Sequence, residues 1–280
     1  MEVADRLQQI EAEVRRIGAL QLQGARSLRP EQIRIKNGAG EDNSLVTDMD
    51  LQSEHLFRTF LRREFPDHSF LGEETGNEPR DPEHYWIVDP IDGTTNFAHG
   101  IPYWGPSLAY WHRGEPTLAL VHFPALDCLF MARRGGGATL NGQPIRTSTA
   151  REYSPMTTVA LHSRTHYTHH LRLRAKVRVL GSIIGNMCFT ARGTFVAAHG
   201  RGRLWDVAAG VLILQEAGAV VETQPDCRRT DLAAYGRNGS PSTVFTLLAR
   251  ANEHLPPLSE YLQAATTHGA APGADQGTRS

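Results

Sequence analysis

Acidic residues follow three separate apolar stretches of this 280-residue sequence. They are Glu73 in FLGEE, Asp89 and Asp92 in WIVDPIDGTTNF, and Asp206 in RLWDVAAG. If the three stretches converge, the carboxylates repel one another unless cations lie between them. Carboxylate oxygens favour Mg²⁺ over Zn²⁺, and these motifs contain neither cysteine nor histidine. Together the motifs indicate a magnesium site.

The residues after Asp92 are suited to binding an anion. The apolar run YWIVD predicts a short strand that ends at Asp89, and the hydroxyl residues of GTTNF can open a helix. Backbone N–H groups are free where a strand is followed by a helix, so a phosphate can bind at Gly93 and Thr94. Each acid also has a purely structural explanation, since Asp92 can stabilise a turn and Asp206 can cap a helix. The combination of motifs favours a site for metal and phosphate.

Other phosphate and hydrolase chemistries lack their motifs here. The sequence has no GxxxxGK[ST] loop, and D-P-I-D-G-T stands in place of the D-x-D-x-T of aspartyl-phosphate enzymes. The extra residue changes the direction in which the second acid faces along a strand. The absence of G-x-S-x-G argues against a Ser/His/Asp hydrolase.

Composition limits the partners that this protein can have. The 29 basic and 30 acidic residues nearly balance, so no overall field would draw the protein to nucleic acid or to an anionic membrane. Three scattered cysteines without a CxxC pair favour free thiols in a reducing compartment. No uncharged apolar run of about 18 residues predicts a membrane span, and the N-terminus does not resemble a signal peptide. We therefore expect a cytoplasmic protein that binds a small molecule, with no nucleic-acid partner and no membrane association.

The elements that position the acids begin with two predicted helices. The first has its apolar residues at steps of four and three and ends near Gly24; these residues are Val3, Leu7, Ile10, Val14 and Ile17. The polar segment KNGAGEDNS then predicts a mobile loop. The second helix begins at the capping pair Thr47 and Asp50 and stops at Pro66.

The middle and the second half of the chain differ in pattern. Between Tyr110 and Arg146, short β-prone runs separated by Gly, Pro and Asn-Gly turns predict an antiparallel meander. After about residue 155, strands alternate with helices in an α/β pattern. The predicted helices are THHLRLRA, one from about Ile184, one from Trp205, and a last one to about Ala265.

These motifs resemble the inositol monophosphatase family, within a superfamily of Mg²⁺-dependent, lithium-sensitive phosphatases that includes fructose-1,6-bisphosphatases. The resemblance rests on GEE at 72–74, WIVDPIDGTTNF at 86–97 and WDVAAG at 205–210, in the family's order. It implies an α+β and α/β fold, a layered αβαβα sandwich. Its predicted parts are an α+β half with an antiparallel sheet (1–150), an α/β half that completes the site (151–265), and a disordered tail (266–280).

Carried over position by position, the resemblance implies two or three Mg²⁺ ions. Glu73, Asp89 and the backbone carbonyl of Ile91 would bind one ion, whereas Asp89, Asp92 and Asp206 would bind a second. A weaker third ion would also use Glu73. Metal coordination lowers the pKa of water by several units, and a second ion stabilises the leaving oxygen. Such a site hydrolyses phosphate esters without a covalent intermediate.

The same resemblance assigns the residues around the phosphate. The backbone amides of Gly93 and Thr94 would bind it. Thr94, hydrogen-bonded to Asp50, would act with Glu73 to orient a metal-bound water for in-line attack on phosphorus. Lys36 matches a family lysine near the site.

The substrate side departs from the family pattern. GSIIGN, which begins at Gly181 and Ser182, has Ile183 and Ile184 where the family's G-[ST]-A-A has alanines. His199 replaces a glutamate of the inositol-binding members, and Arg201 is close in sequence. The glutamate accepts hydrogen bonds from sugar hydroxyl groups, whereas His199 can donate them. This exchange weakens the case for myo-inositol monophosphate, and it disfavours the cationic histidinol phosphate. Either the substrate carries a second anionic group, or these basic side chains face solvent. The candidate substrate contacts are Gly181, Ser182, His199, Asp92, Asp206 and Lys36.

The resemblance implies a Mg²⁺-dependent phosphomonoesterase that hydrolyses a small phosphorylated polyol or sugar. The first alternative is a bisphosphatase for a sugar or nucleotide bisphosphate, of the fructose 1,6-bisphosphate or 3'-phosphoadenosine 5'-phosphate type. The second is a non-catalytic binding protein on the same fold. Because family members are commonly homodimers, the resemblance also implies a homodimer.

Overall fold

The computed structural model contains both helices and strands and describes residues 3–36, 44–232, 234–235 and 243–264. Its α-helices in these ranges are α1 (Leu7–Arg26), α2 (Asp48–Glu64), α3 (Thr94–Ala98), α4 (Thr165–Thr168), α5 (Ile183–Ala191) and α6 (Leu204–Glu216). Each of them is too short or too polar to span a lipid bilayer.

The strands fall into four sheets. In chain order they are β1 (Ile33–Lys36), β2 (Ser44–Thr47), β3 (His68–Gly72), β4 (Gly76–Glu78), β5 (Asp81–Asp92), β6 (Gly105–His112), β7 (Glu115–Phe123), β8 (Cys128–Arg133), β9 (Gly137–Leu140), β10 (Gln143–Ile145), β11 (Thr158–Ala160), β12 (His169–Leu171), β13 (Lys176–Arg178), β14 (Ala197–Gly202), β15 (Val220–Gln224), β16 (Phe245–Arg250) and β17 (Leu262–Ala264).

The larger sheet has eight strands in the order β10-β9-β8-β7-β6-β5-β3-β4. Strands β6 to β10 form the antiparallel meander that the turn spacing predicts, and that prediction is confirmed. Strands β3 and β5 are parallel neighbours. Their carboxyl ends therefore meet at one edge of the sheet, which is where FLGEE and WIVDPID place their acids.

The two faces of the larger sheet are covered by different helices. Along β5, Trp86 and Val88 belong to the core formed with α1 and α2, whereas Tyr85 and Ile87 belong to the core on the opposite face. This alternation follows from the two-residue period of side chains along a strand. The second half of β5 is buried, so packing on both faces of the sheet fixes the backbone that carries Asp89 and Asp92.

The first two helices agree with their sequence patterns. Ile10, Val14 and Ile17 of the predicted apolar face are fully buried. Helix α2 begins after Thr47, whose backbone N–H donates to the Asp50 carboxylate at 2.8 Å, as the capping pattern predicts.

The smaller sheet has five strands in the order β13-β11-β14-β16-β15. Helix α6 packs against β5 to β9 of the larger sheet and against β14 to β16 of the smaller one. Most of its residues between Leu204 and Leu214 are buried, as expected of a helix between two layers. Mixed sheets flanked by helices confirm the predicted layered fold.

Two predicted helices are wrong. Helix α4 ends at Thr168, and the THHLRLRA segment instead contributes β12, which pairs with β17. The run LRLRAKVR alternates apolar and basic residues, a two-residue period that fits extended chain better than helix. The predicted last helix is a 3₁₀ turn, Leu258–Tyr261, followed by β17. Pro256 and Pro257 lack the N–H groups that a helix through this segment requires.

Strands β1 and β2 form an antiparallel hairpin that the sequence patterns do not predict. Most of the predicted mobile loop KNGAGEDNS (37–43) and the predicted disordered tail (266–280) lie outside the described residues. The division near residue 150 remains a prediction; the position lies between β10 of the larger sheet and β11 of the smaller one.

Candidate active site

Three carboxylates from separate elements meet at the carboxyl ends of β3 and β5. Glu73 follows β3, and its backbone N–H donates to the carbonyl of Val88 at 3.2 Å. Asp89 is the next residue on β5, and Asp206 lies in the first turn of α6. Carboxylate oxygens of Glu73, Asp89 and Asp206 lie within 4.8 Å of one another. The three sequence motifs thus converge.

The convergence places negative charge where water is largely excluded. Asp89 is only 1% exposed. Burial raises the pKa of Asp89 well above its usual value, and the carboxylates of Glu73, Asp92 and Asp206 raise it further. Burial likewise raises the pKa of Asp206. Crowded oxygen ligands of this kind are those that a hard divalent cation such as Mg²⁺ prefers, so the residues present fit such an ion.

Asp92 faces the same site because the strand is irregular. The β5–β6 pairing shifts register between Asp89 and Asp92, so the two acids do not follow simple strand alternation. The Ser182 hydroxyl donates to Asp92 Oδ2, and the Ile184 N–H donates to the same atom at 3.2 Å. Burial raises the pKa of Asp92 to about 7 even though these hydrogen bonds lower it. Asp92 therefore links β5 to the start of α5.

A hydrogen-bonded threonine and aspartate lie beside the acids. Thr94 Oγ1 is 3.1 Å from Asp50 Oδ1 and 3.0 Å from the Ile91 carbonyl oxygen, so either oxygen can accept its single hydroxyl proton. Asp50 is fully buried, and its Oδ2 accepts from the Thr47 N–H. The Thr94–Asp50 hydrogen bond that the resemblance implies is therefore present. Gly93 precedes it with a φ of 90°, a conformation that strongly favours glycine.

The four acids, Gly93 and Thr94 line an open cleft of about 250 Å³, whereas Asp50 lies behind Thr94 and is not part of the described lining. The sequence-predicted residues on its wall are Glu73, Asp89, Ile91, Asp92, Gly93, Thr94, Gly181, Ser182 and Asp206. Ile183 lines the cleft too, whereas Ile184 is buried in the core. The cleft thus holds acidic groups, hydroxyl groups and the Gly93 turn within one cavity, with Arg201 also on its wall.

Two predicted substrate contacts, His199 and Lys36, are not among the described residues that line the cleft. His199 is 5% exposed and is absent from the described lining of the cleft. Its Nδ1 is 3.0 Å from the Thr165 hydroxyl, and burial together with His169 and His162 lowers its pKa to about 4. The backbone of Lys36 lies in β1, but its side chain is outside the described part of the chain.

Gln21 is a residue of the site that the motifs do not reveal. It is fully buried, and its Nε2 donates to the carbonyl of Pro90 at 2.8 Å and to the Ser53 hydroxyl at 2.9 Å. It therefore fixes the DPID segment from α1. Its place four residues after Ile17, on the apolar face of the helix, is the sequence signal that could have identified it.

Glu54 holds the segment that carries Glu73. It is 1% exposed, and its carboxylate accepts from the backbone N–H groups of Glu74 and Thr75, both at 2.7 Å. A Cβ on Gly72 would lie 2.5 Å from this carboxylate, so glycine is needed there. An acid on the buried face of α2, four residues after Asp50, is the corresponding sequence signal.

Several known proteins are similar to this chain in sequence or in structure. The model of the inositol monophosphatase family matches residues 4–255. An inositol-1-monophosphatase of Rhizobium meliloti is 39% identical over 200 residues, which cover 67% of this chain and 73% of that protein. A histidinol-phosphatase of Chlorobaculum parvum is 36% identical over 185 residues, covering 63% and 71% respectively. The solved structure of a Thermotoga maritima IMPase has a TM-score of 0.72 at 29% identity and covers 87% of this chain and 91% of its own.

Proposed function

The chain belongs to the inositol monophosphatase family, and from that premise we propose that it is a Mg²⁺-dependent phosphomonoesterase for a small phosphorylated polyol or sugar. The phosphoric monoester hydrolase class accords with the names of its relatives, an inositol-1-monophosphatase and a histidinol-phosphatase. The observation that carries the proposal is the convergence of Glu73, Asp89 and Asp206 in one cleft with the Thr94–Asp50 hydrogen bond.

The acids are proposed to hold two or three Mg²⁺ ions. Glu73, Asp89 and the Ile91 carbonyl would bind one, and Asp89, Asp92 and Asp206 another. When bound, Mg²⁺ supplies water activation and neutralises charge on the leaving oxygen. The carboxylates would fix the positions of the positive ions before the substrate binds. The site is buried, so electrostatic interactions in it are strong.

The remaining residues are proposed to orient the reactants. Thr94 donates its hydroxyl proton to Asp50, so its oxygen lone pairs can accept a hydrogen bond from a water in the cleft. The backbone N–H groups of Gly93 and Thr94 would bind phosphate oxygens. Correct alignment of water and phosphorus is the main contribution that phosphoryl transfer requires of a protein.

Arg201 favours a second candidate, a bisphosphatase. Arg201 is exposed and lines the same cleft as Asp206. A cation beside the bound ester would attract a second phosphate or a carboxylate, and it would disfavour the amine of histidinol phosphate. His199, which also motivates this idea in the sequence, is turned away toward Thr165.

Phosphate release from a panel of esters tests both candidates. The panel contains inositol 1-phosphate, sugar monophosphates, histidinol phosphate, and sugar and nucleotide bisphosphates, each with and without Mg²⁺. If Arg201 selects a second anion, Arg201→Met lowers kcat/KM for bisphosphates selectively, while Arg174→Met, at another exposed arginine, leaves it unchanged. Much faster turnover of inositol 1-phosphate than of any bisphosphate would exclude the second candidate. No Mg²⁺-dependent release from any ester would favour a non-catalytic binding protein.

Three further proposals concern the whole protein. Cytoplasmic location is supported by three cysteines that are all free thiols. A homodimer and a division into functional halves at residues 1–150 and 151–265 rest on the family resemblance. Light scattering at micromolar protein concentration tests the dimer directly.

A further inference from the structure

A second group of metal-ligating side chains lies at the other end of β5 from Asp89. It comprises Glu83, His84 and His112, whose ligand atoms lie within 4.8 Å of one another. His84 and Asp89 are five positions apart along β5, which corresponds to roughly 16 Å at about 3.3 Å per residue. The group is therefore distinct from the acidic cleft.

The sheet holds the two histidines opposite each other. His84 on β5 and His112 on β6 are direct partners in the antiparallel register. Cβ atoms of such partners are about 4.5–5.5 Å apart. The two imidazole rings stack with centroids 4.7 Å apart and an angle of 21°. The backbone N–H of Arg113, the next residue after His112, donates to the Glu83 carbonyl at 2.8 Å and fixes this end of the strand pair.

His84 is oriented in the manner of a metal ligand. Its Nδ1 is 2.5 Å from the Tyr110 hydroxyl, so Nε2 is the nitrogen left for coordination. Nε2 lies 3.9 Å from Asp81 Oδ2, which places a second carboxylate beside the group. Metal-binding histidines typically use one ring nitrogen for the ion and the other for such an orienting hydrogen bond.

Glu83 completes the set. Its side chain is 50% exposed, and its Oε2 accepts from the Arg113 guanidinium at 3.1 Å. A carboxylate has a second oxygen with which to bind an ion. Two imidazoles and one carboxylate are a ligand set typical of Zn²⁺, whereas Mg²⁺ prefers oxygen ligands alone. This chemistry differs from that of the cleft.

We propose that Glu83, His84 and His112 bind a divalent transition-metal ion of the Zn²⁺ class, with water at the remaining position. Tetrahedral zinc ligands at about 2.0–2.1 Å from the ion are roughly 3.3 Å from one another. Binding would require the half-exposed Glu83 side chain and the His112 ring to close the remaining distance from within 4.8 Å, while His84 keeps its hydrogen bond to Tyr110. The bound ion would connect β5 to β6 at the ends of these strands that are remote from the cleft.

The test uses the full-length protein saturated with Mg²⁺, so that the acidic cleft is already occupied. Zn²⁺ is titrated calorimetrically, and Cu²⁺ is added in a parallel electron paramagnetic resonance experiment. We expect one Zn²⁺ site and a Cu²⁺ spectrum with nitrogen hyperfine coupling from two imidazoles, and this coupling should be reduced in His112→Gln, which leaves His162 on the cleft wall unchanged. His112→Gln and Glu83→Gln should weaken Zn²⁺ binding at least about tenfold, and Tyr110→Phe should weaken it through the orientation of His84.

His254→Gln is the matched control. His254 Nε2 is 3.8 Å from Glu253 Oε1, so this exposed pair also places an imidazole beside a carboxylate. The control should keep the Zn²⁺ affinity and the nitrogen coupling of the wild type. Equal Zn²⁺ binding by the wild type and His112→Gln would overturn the proposal, as would a Cu²⁺ spectrum without nitrogen coupling. Circular dichroism confirms that each variant is folded, and Glu83→Gln keeps the size of a half-exposed side chain.

Discussion

The buried acids of the cleft oppose folding and favour ion binding for the same physical reason. Burial raises the pKa of Asp89, Asp92 and Asp206, so each ionised carboxylate is unfavourable in the ion-free protein. A divalent cation reverses this effect because it neutralises the charges that the fold brings together. A buried carboxylate that lowers the stability of the ion-free protein is therefore stabilised when the ion binds.

At the scale of one side chain, the hydroxyl of Thr94 is predicted to orient the attacking water. Thr94→Val removes the hydrogen bond to Asp50 and the polar group in the cleft, so kcat should fall by about 10²–10⁴. Thr94→Ser retains the hydroxyl and should keep most of the activity. Steady-state kinetics at saturating Mg²⁺ measures both variants, with thermal unfolding to check that they fold. A kcat of wild-type size in Thr94→Val would exclude this role.

The individual site residues were only partly predictable. Asp89, Asp92 and Thr94 are adjacent in one unusual motif, so their types and spacing reveal the chemistry. Helical spacing marks Gln21 and Glu54 as polar residues on buried helix faces, but no local pattern identifies the distant segments to which they are hydrogen-bonded. His199 lies on a buried strand and bonds to Thr165, a partner that depends on the path of the whole chain.

At the scale of elements, helices hold the segments that carry the acids. Helix α1 fixes Pro90 through Gln21, helix α2 fixes the Glu74–Thr75 backbone through Glu54, and helix α5 engages Asp92 through Ser182. Each contact satisfies polar groups that would otherwise be costly to bury. The site is therefore supported from three directions.

Gln21→Met is predicted to loosen the DPID segment. The substitution keeps the side-chain length but leaves the Pro90 carbonyl and the Ser53 hydroxyl without this donor, at a cost of about 1–3 kcal/mol. The Mg²⁺ concentration for half-maximal activity should rise. Gln23→Met, at an exposed position on the same helix, is the control and should change neither quantity. Unaltered Mg²⁺ dependence in Gln21→Met would contradict the positioning role.

Elements with a strong period were predictable, and those decided by long-range pairing were not. The apolar stripe of α1, the capping pair of α2 and the turns of the meander each agree with the structure. Strand β12 was wrongly predicted as helix although the alternation of LRLRAKVR fits extended chain, and its pairing with the distant β17 is not visible in the sequence. Strands β1 and β2 are only four residues long, and their sequence pattern does not show that they pair as a hairpin.

At the scale of the whole molecule, the stability of the metal-free protein should depend on pH. Burial raises the folded-state pKa of Asp92 to about 7, whereas an unfolded aspartate titrates near about 3.9. Between these values the folded state binds more protons than the unfolded state, so Asp92 lowers stability as the pH rises. Saturating Mg²⁺ should remove this loss because it binds the ionised form.

Denaturant unfolding between pH 5 and pH 8, in EDTA and in Mg²⁺, measures this dependence. Burial lowers the pKa of half-buried His68 and of buried His122 and His199 to about 4, and these histidines act in the opposite direction, since their unfolded forms bind protons up to about pH 6.5. Comparison with Asp92→Asn cancels their contribution. In EDTA, the wild type should lose more stability with rising pH than the variant; parallel profiles would contradict the prediction.

The overall arrangement was predictable through resemblance, whereas the convergence of the acids required the fold. Asp206 meets Asp89 only because α6 packs between the two sheets and directs its first turn toward the end of β5. Local sequence patterns contain the acids but not this distance. The family motifs supplied the missing information.

Mg²⁺-dependent phosphate release by the wild type and by Asp89→Asn tests the central claim most directly. The measurement uses the best ester of the panel, with Asp48→Asn as the control for loss of an exposed aspartate near the same region. We predict release that requires Mg²⁺ in the wild type and in Asp48→Asn, and turnover lower by orders of magnitude in a folded Asp89→Asn, because both proposed ion positions use this carboxylate. Near wild-type turnover in Asp89→Asn, or equal release with and without Mg²⁺, would contradict the account.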